Sequence, residues 1–529
     1  MKSINMTSSR TINAKRNIIS AIFNKLIIIF APFLIRTIII YTLGSQYTGV
    51  SSLFTSILQV LNISELGLGS VIAYVMYKPI AENDISKVNA LLNLYRKLYR
   101  IIGCIILGLG VCISPFLRFL IKDANELPFN FLELEIIYFI YLFNSVISYF
   151  LFSYKSCLLT ANQRNDIVAL INTFVYLFGY SFQIIILLLF RHSVHKYVYI
   201  GYLSILPIIT ICCNLLNAYI CKKKFPQYKC SGKIEKETGQ LIKKQVKGLV
   251  IGRICGILRN SVDNIFISLF LGTFYLTLYG NYLYIMNAVH VLISSISVSI
   301  VAVVGNSIVS ETKEKNYNDF NKILLIYSLL SSVCTTILLC LYQPFMGFWM
   351  RGDKSLVANI STVFLFVAYF YVLTINDIRC VYMDALGLWW ENRWRPIIEI
   401  VSNICLNLIL VQFLGINGIL IATIFSTFVV NFTMSNYVLF KHYFGLDKIK
   451  GFYVKMFAYF VITVFVSAFC YLISGNVFKT GNEFGDLFIQ FILIAFVSFA
   501  LCLTLYSLTN TFNDSLTLAK RFLFRRKKK

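Results

Sequence analysis

Apolar runs of about 20–28 residues recur along this chain from one end to the other, and each is long enough to cross the hydrocarbon of a bilayer as a helix. Fourteen such runs are expected, at about 17–43, 47–77, 92–121, 130–158, 165–190, 197–221, 245–271, 275–304, 320–347, 357–385, 396–414, 416–441, 452–474 and 484–508. Little chain is left for a large soluble domain, so the sequence predicts an all-α polytopic membrane protein. Only 13% of its residues are charged and its mean hydropathy is +0.74, whereas soluble domains carry about 25% charged residues. A formal net charge of +25 would suit nucleic acid if it were gathered on one face. Instead Lys and Arg sit in short loops between spans, the pattern of cytoplasmic loops in membrane proteins.

Threading the loops tests the count. Alternate loops are basic: one holds Lys78, Lys87, Arg96, Lys97 and Arg100, and another Lys222, Lys223, Lys224, Lys229, Lys233, Lys236, Lys243, Lys244 and Lys247. Roughly 37 of the 48 cations fall inside on this threading, about 7 outside and about 4 within spans. A wrong span number would scramble the asymmetry beyond the error. Both ends are therefore expected in the cytoplasm, with residues 1–16 and 509–529 as tails. The predicted organisation between them is a six-helix bundle at 17–221, a basic linker at 222–244, a second six-helix bundle at 245–441 and a terminal helix pair at 442–508.

An internal repeat supports the two-bundle plan. Leu43-Gly44-Ser45-Gln46-Tyr47-Thr48-Gly49 resembles Leu271-Gly272-Thr273-Phe274-Tyr275, and Ala81–Lys87 resembles Asn316–Lys322. Both pairs are offset by about six spans. An even offset preserves orientation, so the repeats are parallel, related by an axis along the membrane normal. Transporters built this way place the substrate between the halves.

Charges within apolar runs are expensive and face water or a partner rather than lipid. In the first run Lys25, Ile29, Pro32 and Arg36 fall on one helical stripe. The second holds Glu65, and the seventh holds Arg253, Arg259 and Asp263. At 1.5 Å per residue, Arg36 and Asp263 lie about 27 Å from the cytoplasmic edge and Arg259 about 21 Å. Four cations against two carboxylates make a net positive lumen, and guanidinium forks match phosphate oxygens there. The bland readings stand beside this one. Arg259 and Asp263 are four apart and can neutralise each other, and Lys25 and Arg253 can snorkel to the headgroups. Arg36 is the hardest to explain that way.

Other polar marks read as structure. His192 and His195 lie in a loop beside Arg191, too few for a metal site, and no metal is expected. Trp389, Trp390 and Trp394 with Arg393 and Arg395 form an interfacial anchor. The 14 cysteines include no CxxC pair and read as small apolar residues in a reduced compartment. No phosphate-cradling loop or catalytic triad appears, so an enzyme is not expected. No cofactor is expected either, and any driving energy has to come from a proton or sodium gradient or from substrate supply.

The chain resembles the bacterial oligosaccharide flippases (O-antigen and capsular polysaccharide) of the multidrug/oligosaccharidyl-lipid/polysaccharide exporter superfamily. The residues that carry the resemblance are Leu43-Gly44 with Tyr47 and Gly49, Glu65-Leu66-Gly67-Leu68-Gly69, Tyr77-Lys78-Pro79 with Ile85 and Lys87, and a later stretch. That stretch is Arg395-Pro396-Ile397-Ile398-Glu399, Asn403, Asn407, Leu414-Gly415-Ile416-Asn417-Gly418 and Ala422-Thr423. The resemblance implies a V-shaped bundle alternating between inward- and outward-open states in the bacterial cytoplasmic membrane. It implies transfer of undecaprenyl-diphosphate-linked oligosaccharide units for surface polysaccharide such as lipopolysaccharide O-antigen or capsule, alongside a polymerase and glycosyltransferases. It also implies cavity arginines at places comparable to Arg36 and Arg259. On the residues, Arg36 and Arg259 would bind the diphosphate, Arg253 and Lys25 would draw it in, and Glu65 and Asp263 would balance charge or couple to an ion. A lipid II flippase and a cation or drug antiporter of the same superfamily are the alternatives.

Overall fold

The computed structural model describes residues 24–62, 68–162, 164–234, 254–259, 261–350, 354–475, 481–509 and 512–523. Every regular element among them is helical. Among the described residues eleven helices are long and apolar enough to cross a membrane, so the chain is a multi-pass membrane protein. The other three expected spans fall on helices too: α2 (Ser45–Leu61) with α3 (Leu68–Ala81), α9 (254–270, with 260 outside the described residues) and α10 (Thr273–Ser310).

Contacts divide the chain into two compact units, Met1–Thr277 and Leu278–Lys529. In the first, α1 (Asn24–Thr42) leads through Gly44 into α2. Gly44 has φ 117°, a left-handed turn only glycine takes without strain. The amides of Leu43 and Gly44 both bond Ile39 O, at 2.8 and 3.0 Å. The turn from α9 into α10 repeats this. Gly272 has φ 101°, and the amides of Leu271 and Gly272 both bond Ile267 O, at 2.8 and 2.9 Å. The local similarity expected between these stretches is thus a shared backbone conformation.

Helix ends follow their capping residues more closely than their hydropathy. α4 (Ile85–Ile113) starts well before its apolar stretch because Asp84 accepts from Lys87 N at 3.0 Å. α11 (Lys313–Trp349) starts early because Thr312 accepts from Lys315 N at 3.3 Å. Asn316–Lys322 is consequently helical throughout. The fourth expected span breaks. α5 (Phe131–Phe150) ends before Phe152, whose φ of 52° cannot continue a helix, and the short α6 (Ser156–Ala161) follows.

α2 is the core helix of the first unit. Val50, Leu53 and Phe54 are fully buried, and Phe54 meets the Tyr138 ring of α5 edge-on at 5.4 Å. The Tyr199 hydroxyl, on α8 (His195–Lys224), donates to Tyr47 O at 2.9 Å. α7 (Asn165–Leu189) completes this unit against α8. In the second unit α11 packs against α12 (Ile360–Leu386), α16 (Ile449–Ser474) and α17 (Glu483–Ser507). Small hydroxyl pairs bring these helices close, Ser332 with Thr463 at 2.6 Å and Thr336 with Ser467 at 2.9 Å. Such interhelical bonds are worth about 0.6 kcal/mol each in a membrane, so close packing carries most of the association. α14 (Ile416–Phe425), which runs on through a π-helical stretch Ser426–Phe432 into α15 (Thr433–Leu439), packs on α12, and α13 (Trp394–Leu414) packs in turn on α14 and the π-helical stretch. The short α18 (Phe512–Leu523) follows α17.

Candidate functional site

Arg36 lies on α1, half-buried, twelve residues on from Asn24, and its Nη2 donates to the carbonyl of Thr277 at 3.3 Å. That carbonyl is fixed from several sides. Thr277 Oγ1 donates to Ser45 O at 2.6 Å and meets Thr48 Oγ1 at 3.1 Å. Gly49 lets α2 approach α10 here, for a Cβ on it would sit 2.3 Å from Thr273 O. Asp123 holds the start of α10, accepting from Thr273 N at 2.9 Å and from Thr273 Oγ1 at 2.7 Å. The guanidinium therefore rests on a rigid corner between α1, α2 and the first turn of α10.

α9 sits farther along α2. Asn264 Nδ2 donates to Ser56 Oγ at 2.8 Å and Ser261 Oγ to Gln59 Oε1 at 3.2 Å. Asp263 is 3% exposed, and Arg259 lies half-buried one turn earlier on the same helix. Thr48 and Ser56 are eight residues apart on α2, about 12 Å of rise. The Arg36 corner and the α9 contact are thus two turns apart along one helix. Lys25 is exposed near the start of α1, where its neighbour Asn24 bonds Thr173 Oγ1 of α7 at 2.9 Å. It lies eleven residues from Arg36, about 16 Å along the helix axis. Glu65 and Arg253 lie outside the described residues.

Two ionisable groupings in the second unit were not singled out from the sequence. Arg379, 3% exposed, donates to Asn431 O at 2.8 Å and Asn431 Oδ1 at 2.9 Å. Asn431 Nδ2 donates to Glu399 Oε1 at 3.1 Å, and Glu399 accepts from Arg395 Nη1 at 2.6 Å. The chain crosses α12, the π-helical turn and α13. Nearby in the same unit, Asp377 meets His290 and Tyr327. Charged residues inside the apolar run at 357–385 were the available signal for both. The unit also carries an apolar groove of about 1070 Å³ lined by Phe364, Tyr371, Phe428, Met456, Phe460 and Tyr471.

No protein-family model and no curated protein matches the sequence. Solved structures do match the fold. The lipid II flippase MurJ in an inward closed conformation superposes with a TM-score of 0.64 at 16% identity, over 96% of this chain and 99% of that one. An inward-facing multidrug resistance MATE transporter of the MOP superfamily gives 0.60 at 14% identity, over 77% and 93%. A MOP superfamily transporter from Pyrococcus furiosus, whose binding pocket is described as reversed in polarity with a different function suggested, gives 0.56 at 13%, over 80% and 94%. At these identities the likeness establishes the fold. The chain has the all-α architecture of MOP superfamily transporters.

Proposed function

We propose that this protein is a flippase that moves lipid-linked oligosaccharide, joined to its polyprenyl carrier through a diphosphate, across the bacterial cytoplasmic membrane by alternating access. The observation that carries the reading is Arg36, a guanidinium held on the Thr277 carbonyl far inside an apolar helix. A cation kept at that depth is costly unless something uses it, and a diphosphate bound there would form charge-assisted, bidentate hydrogen bonds. Arg259 would take the second phosphate, Arg253 and Lys25 would draw the headgroup in, and Asp263 and Glu65 would balance the arginines between substrates. The apolar groove of the second unit is suited to an isoprenoid chain. A pocket of reversed polarity, as described for the Pyrococcus furiosus transporter, is the kind of change within this fold that an anionic substrate would need.

The match to a lipid II flippase over 96% of the chain favours a second substrate with the same diphosphate chemistry. Purified protein in proteoliposomes, given labelled lipid-linked oligosaccharide and labelled lipid II in parallel, separates the two. Transfer of the oligosaccharide alone supports surface polysaccharide assembly. Transfer of lipid II, with loss of growth on gene deletion, replaces it. Transfer of neither, with drug efflux instead, overturns the anion reading and leaves the cation or drug antiporter.

A further inference from the structure

In the second unit α12 ends at Leu386 and the chain re-enters as α13 at Trp394, while the span 416–444 ends at Phe444 and α16 starts at Ile449. These helix ends enclose a cavity of about 500 Å³ whose walls include Glu391, Asn392, Trp394, Arg395, Tyr437 and Tyr453. Tyr437 lies seven residues before Phe444 and Tyr453 four after Ile449, or about 10 and 6 Å inside those ends. That is near the boundary of headgroups and hydrocarbon, where Trp and Tyr gather. Asn392 fixes the turn on α15, its Nδ2 donating to Ser435 Oγ at 3.3 Å.

The charged side chains lining the cavity are one of each sign, Arg395 and Glu391. Arg395 Nη1 donates to Glu399 at 2.6 Å, but Glu399 also accepts from Asn431, which Arg379 grips. Two guanidiniums against one carboxylate leave that network one positive charge. Arg395 Nε is buried with no hydrogen-bond partner among the described residues. Glu391, Trp394 and Tyr437 are exposed. Of the neighbouring cations, Arg393 lies over the Trp390 ring at 4.3 Å, and the exposed Lys441 over the Tyr437 ring at 5.6 Å. One space thus offers a guanidinium, a carboxylate and aromatic faces.

We propose that this cavity binds the headgroup of a zwitterionic phospholipid with a primary ammonium, phosphatidylethanolamine, as a resident lipid of the second unit. The phosphate accepts charge-assisted hydrogen bonds from Arg395, whose guanidinium has five N–H donors and spends few of them on Glu399. The ammonium donates to Glu391 and meets the aromatic faces of Trp394 and Tyr437. Tyr453 lines both this cavity and the apolar groove, so the acyl chains lie at the end of that groove. A phosphatidylglycerol head brings no cation to Glu391, and a phosphatidylcholine head brings one without an N–H to donate. Free phosphate lacks both the ammonium and the chains that keep a ligand at this depth.

The test needs no transport substrate and so is independent of the transport reading. Full-length protein in detergent is given phosphatidylethanolamine, phosphatidylcholine and phosphatidylglycerol in equal amounts, and bound lipid is read by native mass spectrometry. Wild type is expected to retain phosphatidylethanolamine about tenfold better than the other two, a difference of about 1.4 kcal/mol. Glu391→Gln, at an exposed position, should fold as wild type does and lose that preference. Arg395→Lys, which keeps a charge beside Glu399 but not the planar fork, should retain all three lipids about tenfold more weakly. Should that variant fail to fold, Trp394→Ala replaces it, with a smaller loss expected for phosphatidylethanolamine. Equal retention of the three lipids by wild type, a preference for phosphatidylglycerol, or an unchanged preference in Glu391→Gln overturns the proposal. So does inorganic phosphate that raises the thermal midpoint as much as phosphatidylethanolamine, for the site would then serve a free anion.

Discussion

Arg36 of the first unit and Arg379 of the second both place a guanidinium within an apolar helix, but the protein treats them differently. Arg379 is 3% exposed and clasped by both the carbonyl and the side chain of Asn431, in a network closed by Glu399 and Arg395. Arg36 stays half-buried, with Nη2 on a carbonyl fixed by neighbouring threonines. The difference teaches that depth of burial alone does not mark a binding cation. A guanidinium sealed into a network of side chains holds helices together, whereas on the proposed reading one that stays half-exposed is the one that meets an anion.

The sharpest way to break this contrast is to remove Arg36. Arg36→Ala is expected to leave a folded protein whose thermal midpoint matches wild type, yet to abolish transfer of lipid-linked oligosaccharide. Charge-assisted hydrogen bonds are worth about 1.5–3 kcal/mol each, so losing one or two means a fall of at least about tenfold to a hundredfold in transfer rate. Normal transfer, or an unfolded variant, would end the functional reading of Arg36. Arg379→Met is the mirror experiment. It leaves Asn431 O and Oδ1 buried without their donor while Arg395 still pairs with Glu399, and each buried acceptor left unsatisfied costs about 1–3 kcal/mol. The expected result is loss of folded protein by size-exclusion and thermal melting, whatever substrate is present.

Next in size is the corner itself. Gly49→Val would push a side chain into the first turn of α10, where even a Cβ meets Thr273 O at 2.3 Å. Overpacking of this kind costs about 1–3 kcal/mol. Because Thr273 and Thr277 share that turn, the variant should lower both the thermal midpoint and the transfer rate. A drop in stability with unchanged transfer would uncouple Arg36 from the corner.

How much of this was legible in the sequence depended on whether the signal was local. The apolar runs specify the helices, and the Leu43-Gly44 and Leu271-Gly272 pairs announced two turns whose backbones agree in φ sign and hydrogen bonding. Arg36 was readable because a cation in an apolar run needs no partner to be conspicuous. Asp377 and Arg379 stood in such a run too, but what they do depends on residues far away in sequence. His290 lies 87 residues and Tyr327 50 residues from Asp377, and Asn431 52 residues from Arg379. Helix starts were misjudged at 92 and 320 because a single capping side chain, Asp84 or Thr312, extends a helix past its apolar stretch. The break at Phe152 was hidden because Phe150-Leu151-Phe152 carry the apolar run through it, and the polar Ser153, Lys155 and Ser156 come only after the turn.

The smallest effect concerns a charge outside the apolar layer, where water screens what the interior does not. Asp84 caps α4, and hydrogen bonds from the Lys87 amide and then the Ser86 hydroxyl hold its carboxyl below the usual carboxylate range. A carboxyl whose folded value is depressed adds stability above its unfolded value, about 3.9, and loses it as pH falls through the folded value. The first turn of α4 should therefore be fully protected at neutral pH and fray progressively below about pH 4. Asp84→Asn keeps an acceptor but has nothing to titrate. The protection of the Ser86–Val88 amides relative to that variant should fall with acid, and only there. If the difference persists unchanged at low pH, the cap acts through shape alone, and the charge at this end of α4 is irrelevant to the contrast between sealed and half-open cations within the layer.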